Sequence, residues 1–458
     1  MYTLICAVQD LALFGIFITG LVLLEWQIIV FPILIYILIP FLNELVYNCF
    51  AKLLFTIEKE KKRMEQRYSQ SELENKYIEN LPILYHPSYN ITACGIEKLH
   101  PFDSVKYGRV FNILKEKGFL QEQGFYKPKE KVGRGLMLHL GMSPLYLLYL
   151  NYAAYVSKCI EIPLFFLPAS FLRWKVLDPM MFSTQGSIDA AVLSLKRGWS
   201  INLSGGYHHA CRYSEKQKVA LENQKIYSKF QINNFSSELR NQQKPNQYLS
   251  IKLQTSNKIQ HSINRNKKQS GGGFCIYPDI CFAIEYLRKC FGIKRCMIVD
   301  LDAHQGNGHE RDFIDDKENT FILDFYNHSI YPADTFAAKG ISLSKNVDFD
   351  TSDSEYISML RKTLQKILDQ FKPEFLLYNA GTDCLEGDRL GQMNLSQNCI
   401  IQRDQVVFEE CLNRDIPLTM VLSGGYQQIN APVIADSILN LDQNLKIKNY
   451  NRKKLQNP

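Results

Sequence analysis

From position 81 onward, short apolar runs alternate with longer stretches of helical periodicity. Four runs are almost continuously apolar, namely Cys296–Val299, Thr320–Leu323, Phe375–Tyr378 and Pro417–Leu422. Such runs are typical of strands in a parallel sheet that helices cover on both faces. Their alternation with helical stretches predicts an α/β fold. In folds of this kind, functional side chains gather where the strands end.

Residues 1–56 follow a different pattern, because Glu25 is the only charged residue between Leu11 and Leu42. A membrane-spanning helix needs about 20 apolar residues. We therefore predict a hydrophobic helical membrane anchor, either one tilted span or a hairpin that turns near Glu25. A buried pair of core helices is the soluble alternative. The basic cluster at 59–63 predicts that the rest of the chain faces the cytosol.

Three further segments depart from the α/β pattern. Residues 57–80 are highly charged and predict a solvated connector. Residues 212–270 are rich in Asn, Gln, Lys and Ser and predict a disordered insertion, with a translated intron as the alternative. Residues 446–458 form a basic tail. The folded domain is accordingly expected to span 81–445, interrupted by the insertion.

The net charge of +7 does not indicate a nucleic-acid-binding surface. Twelve Lys and Arg against three Asp and Glu fall within 212–270, so the rest of the chain carries a charge of −2. The basic character thus belongs to one segment and not to a folded face. The 12 cysteines include no Cys-x-x-Cys pair, which argues against a disulfide framework or a cysteine-rich zinc finger.

The strongest chemical signal directly follows the run Cys296–Val299. Alternate residues of an extended chain point to the same side, so Asp300, Asp302 and His304 are expected to converge at the end of the strand. Asp383 follows another apolar run and could complete a set of three metal ligands. Carboxylates with an imidazole favour zinc, and a three-ligand set leaves a position open for water. The alternative is that these acids lie in capped, solvated loops.

Two more strand ends carry candidate catalytic groups. The adjacent His208 and His209 follow a Gly-Gly pair and are candidates for proton transfer, although a surface loop or a ligand role is the alternative. Tyr426 also follows a Gly-Gly pair, and its hydroxyl could donate to a developing oxyanion. When Tyr426 is considered alone, the simpler interpretation is that it is a buried core residue.

Six segments resemble the zinc-dependent histone deacetylases, and the match as a whole covers roughly Leu81 to Leu441 without the insertion. The strings Asn-Ile-Thr, Glu-Lys-Leu-His-Pro-Phe-Asp and His-Gln-Gly-Asn-Gly-His-Glu-Arg are similar to the class IV branch in particular. The segments are Leu81–Val110, Gly205–Ala210 (GGYHHA), Gly271–Ile280 (GGGFCIYPDI), Asp300–Phe313 (DLDAHQGNGHERDF), Tyr378–Gly391 (YNAGTDCLEGDRLG) and Leu422–Gln427 (LSGGYQ).

The resemblance implies a three-layer arginase–deacetylase fold with a central parallel sheet. It implies that Zn²⁺ is held by Asp302, His304 and Asp383. It also implies that His209 is the general base, with His208 beside it as an electrostatic partner. In the same way, Tyr426 would polarise the carbonyl of the substrate.

The resemblance also implies roles for residues around this centre. Asp300 would orient one histidine and help to form a site for a structural K⁺, and Asn307 would orient His209. Gly206, Phe274 and Tyr331 would line the channel for the acyl-lysine side chain.

The expected function is therefore zinc-dependent hydrolysis of the Nε-acyl-lysine amide, acetyl or longer fatty acyl, in histones or other proteins. A hydrolase of small amides such as acetylpolyamines, and a non-catalytic acyl-lysine-binding scaffold, are the alternatives. No direct binding to nucleic acid is expected. The anchor predicts a location at the endoplasmic reticulum or nuclear envelope, with nucleus or cytoplasm as the alternative.

Overall fold

The computed structural model describes residues 80–212 and 271–450, apart from positions 93, 94, 96, 98–100 and 123, together with Lys59. The predicted anchor at 1–56, nearly all of the connector, the insertion after position 212 and the end of the tail lie outside the described residues. Among the helices of the described part, none is long and apolar enough to cross a membrane.

The described chain alternates strands with helices. The strands are β1 (Ile83–Leu84), β2 (Trp199–Asn202), β3 (Cys296–Asp300), β4 (Thr320–Tyr326), β5 (Leu343–Asn346), β6 (Phe375–Asn379) and β7 (Leu418–Val421). The α-helices are α1 (Lys106–Glu116), α2 (Arg134–His139), α3 (Pro144–Tyr149), α4 (Ala153–Ile160), α5 (Ala169–Leu172), α6 (Asp178–Arg197), α7 (Asp279–Phe291), α8 (Asn307–Asp312), α9 (Asp353–Phe371), α10 (Gln397–Leu412) and α11 (Asn430–Leu445). Short 3₁₀ turns lie at Pro87–Tyr89, Ala337–Gly340 and Ile447–Asn449, and one π-helical turn at Arg173–Leu177.

The strands form one seven-stranded sheet in the order β1-β2-β7-β6-β3-β4-β5, and every neighbouring pair is parallel. All four apolar runs singled out in the sequence are strands of this sheet. The predicted α/β class with a central parallel sheet is therefore confirmed.

Helices cover both faces of the sheet. Successive residues of β3 alternate between two apolar cores, with Met297 and Val299 in one and Cys296 and Ile298 in the other. The first core contains the apolar sides of α1, α9, α10 and α11, and the second contains those of α6 and α7. Each face of the strand is buried against helices, which explains why the strand sequences are continuously apolar.

Local signals in the sequence set the ends of several helices. At the start of α9, the Ser352 hydroxyl accepts a hydrogen bond from the Glu355 amide at 3.3 Å, as expected for a Ser-x-x-Glu capping box. At the end of α6, Gly198 adopts a left-handed conformation with φ of 83°, which lets the chain reverse into β2.

The register of the sheet brings the ends of the strands together. Asp300, the last residue of β3, lies opposite Asp324 in β4 and Asn379 in β6. Asn379 in turn lies opposite Val421 in β7. The loops after these strands therefore emerge side by side at one edge, and they carry all the candidate residues from the motifs after β3, β6 and β7.

Candidate active site

Three side chains that could hold a metal ion meet at this edge of the sheet. Asp302, His304 and Asp383 are all buried, and one ligand atom from each lies within 4.8 Å of the other two. The Nδ1 atom of His304 is 2.8 Å from Asp383 Oδ2. The loops after β3 and β6 thus supply a compact set of two carboxylates and one imidazole, as the sequence predicts.

The environment of these residues fits a divalent cation. Burial, followed by the negative charge of Asp302, raises the pKa of Asp383 to about 6. Two buried carboxylates this close repel one another unless a cation lies between them. A Cβ atom on Gly424 would lie 2.5 Å from Oδ2 of both acids, so the glycine leaves that space open. Carboxylate and imidazole donors are among the ligands that zinc takes in proteins.

His208 lies between two carboxylates. Its Nδ1 is 3.0 Å from Asp300 Oδ2, and its Nε2 is 3.6 Å from Asp302 Oδ1. Burial lowers the pKa of this imidazole, but the charges of Asp302 and Asp300 outweigh burial and raise the pKa to about 9. His208 is therefore suited to carry positive charge next to the metal ligands.

His209, in contrast to His208, is held in its neutral form. Its Nδ1 lies 2.8 Å from Asn307 Oδ1, and Asn307 Nδ2 donates a hydrogen bond to Asp334 at 3.2 Å. A carboxylate only accepts, so Asp334 fixes the orientation of the amide, and the amide oxygen requires a proton on His209 Nδ1. Nε2 is left as the proton acceptor. Burial and the neighbouring His208 and His304 hold the pKa of His209 well below its usual range, so this ring is neutral.

The loop that carries Tyr426 is fixed at two points. The amide of Tyr426 donates to Asp388 Oδ2 at 3.0 Å. The ammonium group of the fully buried Lys106 donates to the carbonyl oxygens of Ser423 at 2.7 Å and Gly424 at 2.5 Å. The Tyr426 ring lies 6.0 Å from the His304 ring, and burial, then the charge of Asp383, raises the pKa of its hydroxyl well above the usual range. The hydroxyl is therefore protonated and able to donate.

A cavity with aromatic walls leads to these groups. Gly206 and Phe274 both line it, as predicted, together with Phe102, whose ring centre is 4.9 Å from that of Phe274. Tyr331 is 47% exposed, and its ring centre lies 5.1 Å from that of His209. Asp279 accepts hydrogen bonds from the amides of Gly206 and Tyr207, which fixes the loop that carries the histidine pair.

Sequence reasoning missed several residues of this site. Phe102 lies in one of the family-like segments, but its role as a channel wall was not inferred. Lys106 gave no signal, because a lysine is normally solvated. Asp334 accepts a hydrogen bond from the Asn307 side chain, and Asp388 accepts one from the backbone amide of Tyr426. Folding brings these partners together, and no local sequence pattern marks them.

Comparisons with known proteins agree with this geometry. The family model for the histone deacetylase domain matches residues 261–441. Over 368 residues, or 80% of this chain and 80% of the relative, the sequence is 37% identical to Histone deacetylase 2 of Arabidopsis thaliana.

The chain belongs to the histone deacetylase family. Its match to an uncharacterized protein of the cyanobacterium Picosynechococcus is 25% identical and covers 75% of this chain and 92% of the relative. Histone deacetylase 6 of Arabidopsis thaliana is 33% identical over 36% of this chain and 35% of the relative. The chain is a lysine deacetylase, and so it is a hydrolase that cleaves lysine amides.

Proposed function

We propose that this deacetylase uses Zn²⁺ to hydrolyse Nε-acyl-lysine in histones or other proteins, with Asp302, His304 and Asp383 as the ligands. The observation that carries the proposal is the position of the buried His209. Its Nδ1 lies 2.8 Å from Asn307 Oδ1, and its ring centre lies 6.1 Å from that of His304, one of the three clustered donors. Bound zinc would supply a water of lowered pKa and polarise the amide carbonyl.

The protein side chains then divide the remaining work. His209 Nε2 takes the proton of the attacking water, because the ring is neutral and Asn307 holds the proton on Nδ1. Tyr426 donates its hydroxyl proton in a hydrogen bond to the carbonyl oxygen as negative charge develops there. His208 balances that charge as an imidazolium. A protonated histidine then gives a proton to the departing lysine amine, and the products are free lysine and a carboxylate.

We also propose a structural K⁺ near Asp300. Asp324 lies opposite Asp300 in the sheet, and its Oδ1 has no hydrogen-bond partner among the described residues. Burial, followed by the charge of Asp300, raises the pKa of Asp324 well above its usual range. A monovalent cation bound at Asp324 Oδ1, near Asp300, would offset that unfavourable charge.

We assign the chain to the class IV branch on the strings 90–92, 97–103 and 304–311. By the same resemblance, fatty acyl groups longer than acetyl are the proposed preference. Residues 81–445 are the proposed catalytic domain, interrupted at 212–270.

We further propose that residues 1–56 attach the enzyme to the endoplasmic reticulum or nuclear envelope, with the catalytic domain facing cytosol or nucleoplasm. Support comes from the apolar stretch Leu11–Leu42 and from the exposed Phe165, Phe166 and Trp174, which are 63%, 69% and 63% accessible. Cell fractionation tests this proposal. The full chain should stay in the membrane pellet after alkaline extraction, and the chain without 1–56 should not. A full chain that is extracted completely would refute membrane attachment.

The activity itself is tested with peptides that carry acetyl-, octanoyl- or myristoyl-lysine. The full chain, loaded with zinc, should release the carboxylic acid and leave an unmodified lysine in the peptide, as measured by mass spectrometry, and the longer acyl chains should react faster. Tyr426→Phe should abolish the release, whereas Tyr152→Phe removes an exposed hydroxyl elsewhere and should not. Equal activity of the Tyr426→Phe variant would refute the proposed site. Turnover of small acylamines in place of the peptides would favour the alternative substrate class.

A further inference from the structure

Another histidine, His309, lies near the pair formed by His208 and His209. His309, in α8, is completely buried, and its Nε2 is 2.8 Å from Asp300 Oδ2. The same carboxylate oxygen is 3.0 Å from Nδ1 of His208. Two imidazole rings therefore share Asp300. The bond described above joins His309 to Asp300, which is not one of the proposed metal ligands.

The remaining bonds of Asp300 show how completely it is held. Its other oxygen, Oδ1, accepts from Asn379 Nδ2 at 2.8 Å and from the amide of Asp302 at 3.2 Å. A carboxylate offers about four acceptor positions. With four donors around it, the carboxylate has one orientation, and His309 supplies one of the two bonds at the oxygen that faces His208.

The local sequence leaves room for this arrangement. A Cβ atom on Gly306 would overlap His309 Nε2 and lie 2.5 Å from Asp300 Oδ2. Glycine at 306 therefore lets the His309 ring reach the carboxylate.

The hydrogen bonding of His309 indicates a role beyond packing. Its Nδ1 has no hydrogen-bond partner in the part of the chain that the structure describes. Leaving a buried polar group without a partner costs about 1–3 kcal/mol. An apolar side chain of similar size would avoid this cost, so stability alone does not explain the histidine. Residues that lower stability locally, as the unpartnered Nδ1 of His309 does, are expected at functional sites.

We propose that His309 is a positioning residue of the deacylation reaction. By donating from Nε2 to Asp300, it fixes the carboxylate that orients His208. His309 does not touch substrate, and it acts only through Asp300. This inference rests on the roles of Asp300 and His208 in the proposed function.

The test compares His309→Met and His309→Gln in the full chain. Both replacements are unbranched and similar in length, but only glutamine has an amide that can donate to Asp300. Changes in groups that orient a metal site typically cost about 10–100-fold. We expect His309→Met to lower kcat by about 10-fold with KM unchanged, and His309→Gln to recover most of that loss. His328→Leu, which removes an exposed histidine without a bond to Asp300, is the control.

Zinc content and the melting temperature are measured for each variant. If the wild-type enzyme fails to deacylate peptides, the proposed function itself falls. If the wild type is active and His309→Met keeps full kcat, only the role of His309 is refuted. Equal losses in the Met and Gln variants would also refute it, because the donated bond would then not matter. Should His309→Met not fold, His309→Asn replaces it, since its amide is too short to reach the carboxylate.

Discussion

Replacing Asn307 by aspartate tests how Asp334 holds the amide group that orients His209. Asparagine and aspartate have nearly the same size and shape, so the change looks conservative. Here, however, Asn307 Nδ2 donates to Asp334 Oδ2 at 3.2 Å in a buried setting. The change from amide to carboxylate would replace this hydrogen bond with a contact between two negatively charged oxygens.

The size of the effect follows from the distance. Two unit charges 3.2 Å apart repel by about 5 kcal/mol at an effective dielectric constant of about 20. Arg311, whose Nε is 3.0 Å from the same oxygen of Asp334, offsets part of this repulsion. We expect a net loss of about 2–3 kcal/mol in the free energy of unfolding, which corresponds to a fall of roughly 3–5 °C in the melting temperature for a domain of about 300 residues.

The assay is thermal and denaturant unfolding of a four-member cycle that consists of wild type, Asn307→Asp, Asp334→Asn and the double variant. Asp334→Asn alone also loses its ion pair with Arg311, so only the coupling between the two changes is informative. The double variant should be more stable than the sum of the single effects predicts. Asn398→Asp, at an exposed position in α10, is the control and should change stability by less than about 0.5 kcal/mol. An Asn307→Asp protein as stable as wild type, or a cycle without coupling, would refute the reasoning.

Three further changes test other parts of the account. Gly424→Ala places a methyl group 2.5 Å from Oδ2 of Asp302 and Asp383, so metal content measured by elemental analysis should fall, while Gly124→Ala, outside the cluster, should keep it. Lys106→Met removes the donor to the Ser423 carbonyl, and steady-state kinetics should show about a 10-fold lower kcat, which Lys106→Arg partly restores. Ser352→Ala removes the cap of α9 and should cost about 1 kcal/mol in denaturant unfolding without changing kcat. Full metal content in Gly424→Ala would contradict the first argument. Full activity of Lys106→Met would contradict the second, and loss of activity in Ser352→Ala would contradict the third.

Four of the seven strands and the candidate metal ligands could be recognised in the sequence for a physical reason. A buried parallel strand has a continuous apolar run, and functional residues follow it directly, as Asp302 and His304 follow β3. These four apolar runs and the loops that follow them can be recognised without knowing which distant segments of the chain come into contact. The convergence of Asp383 with Asp302 and His304 depends on β6 lying beside β3, which the structure shows.

The residues that the sequence did not reveal depend on contacts between distant segments. Lys106 lies 317 positions before Ser423, yet its ammonium group binds the carbonyl of that residue. Asp334 is linked to His209 through Asn307, which lies 27 positions earlier in the chain than Asp334. No local pattern marks such partners, because a surface lysine or loop aspartate has the same sequence signature. The charge state of His209 could therefore be derived only from the structure.

Elemental analysis of the purified full chain, wild type and Asp383→Ala, tests the central claim most directly. The account predicts one zinc ion per wild-type chain and its loss in the variant, because the variant lacks one of the three ligands. Asp353→Ala, which removes an acid far along the chain in α9, should retain the metal. A wild-type enzyme that deacylates lysine without stoichiometric metal, or an Asp383→Ala variant that holds zinc as well as wild type, would contradict the account.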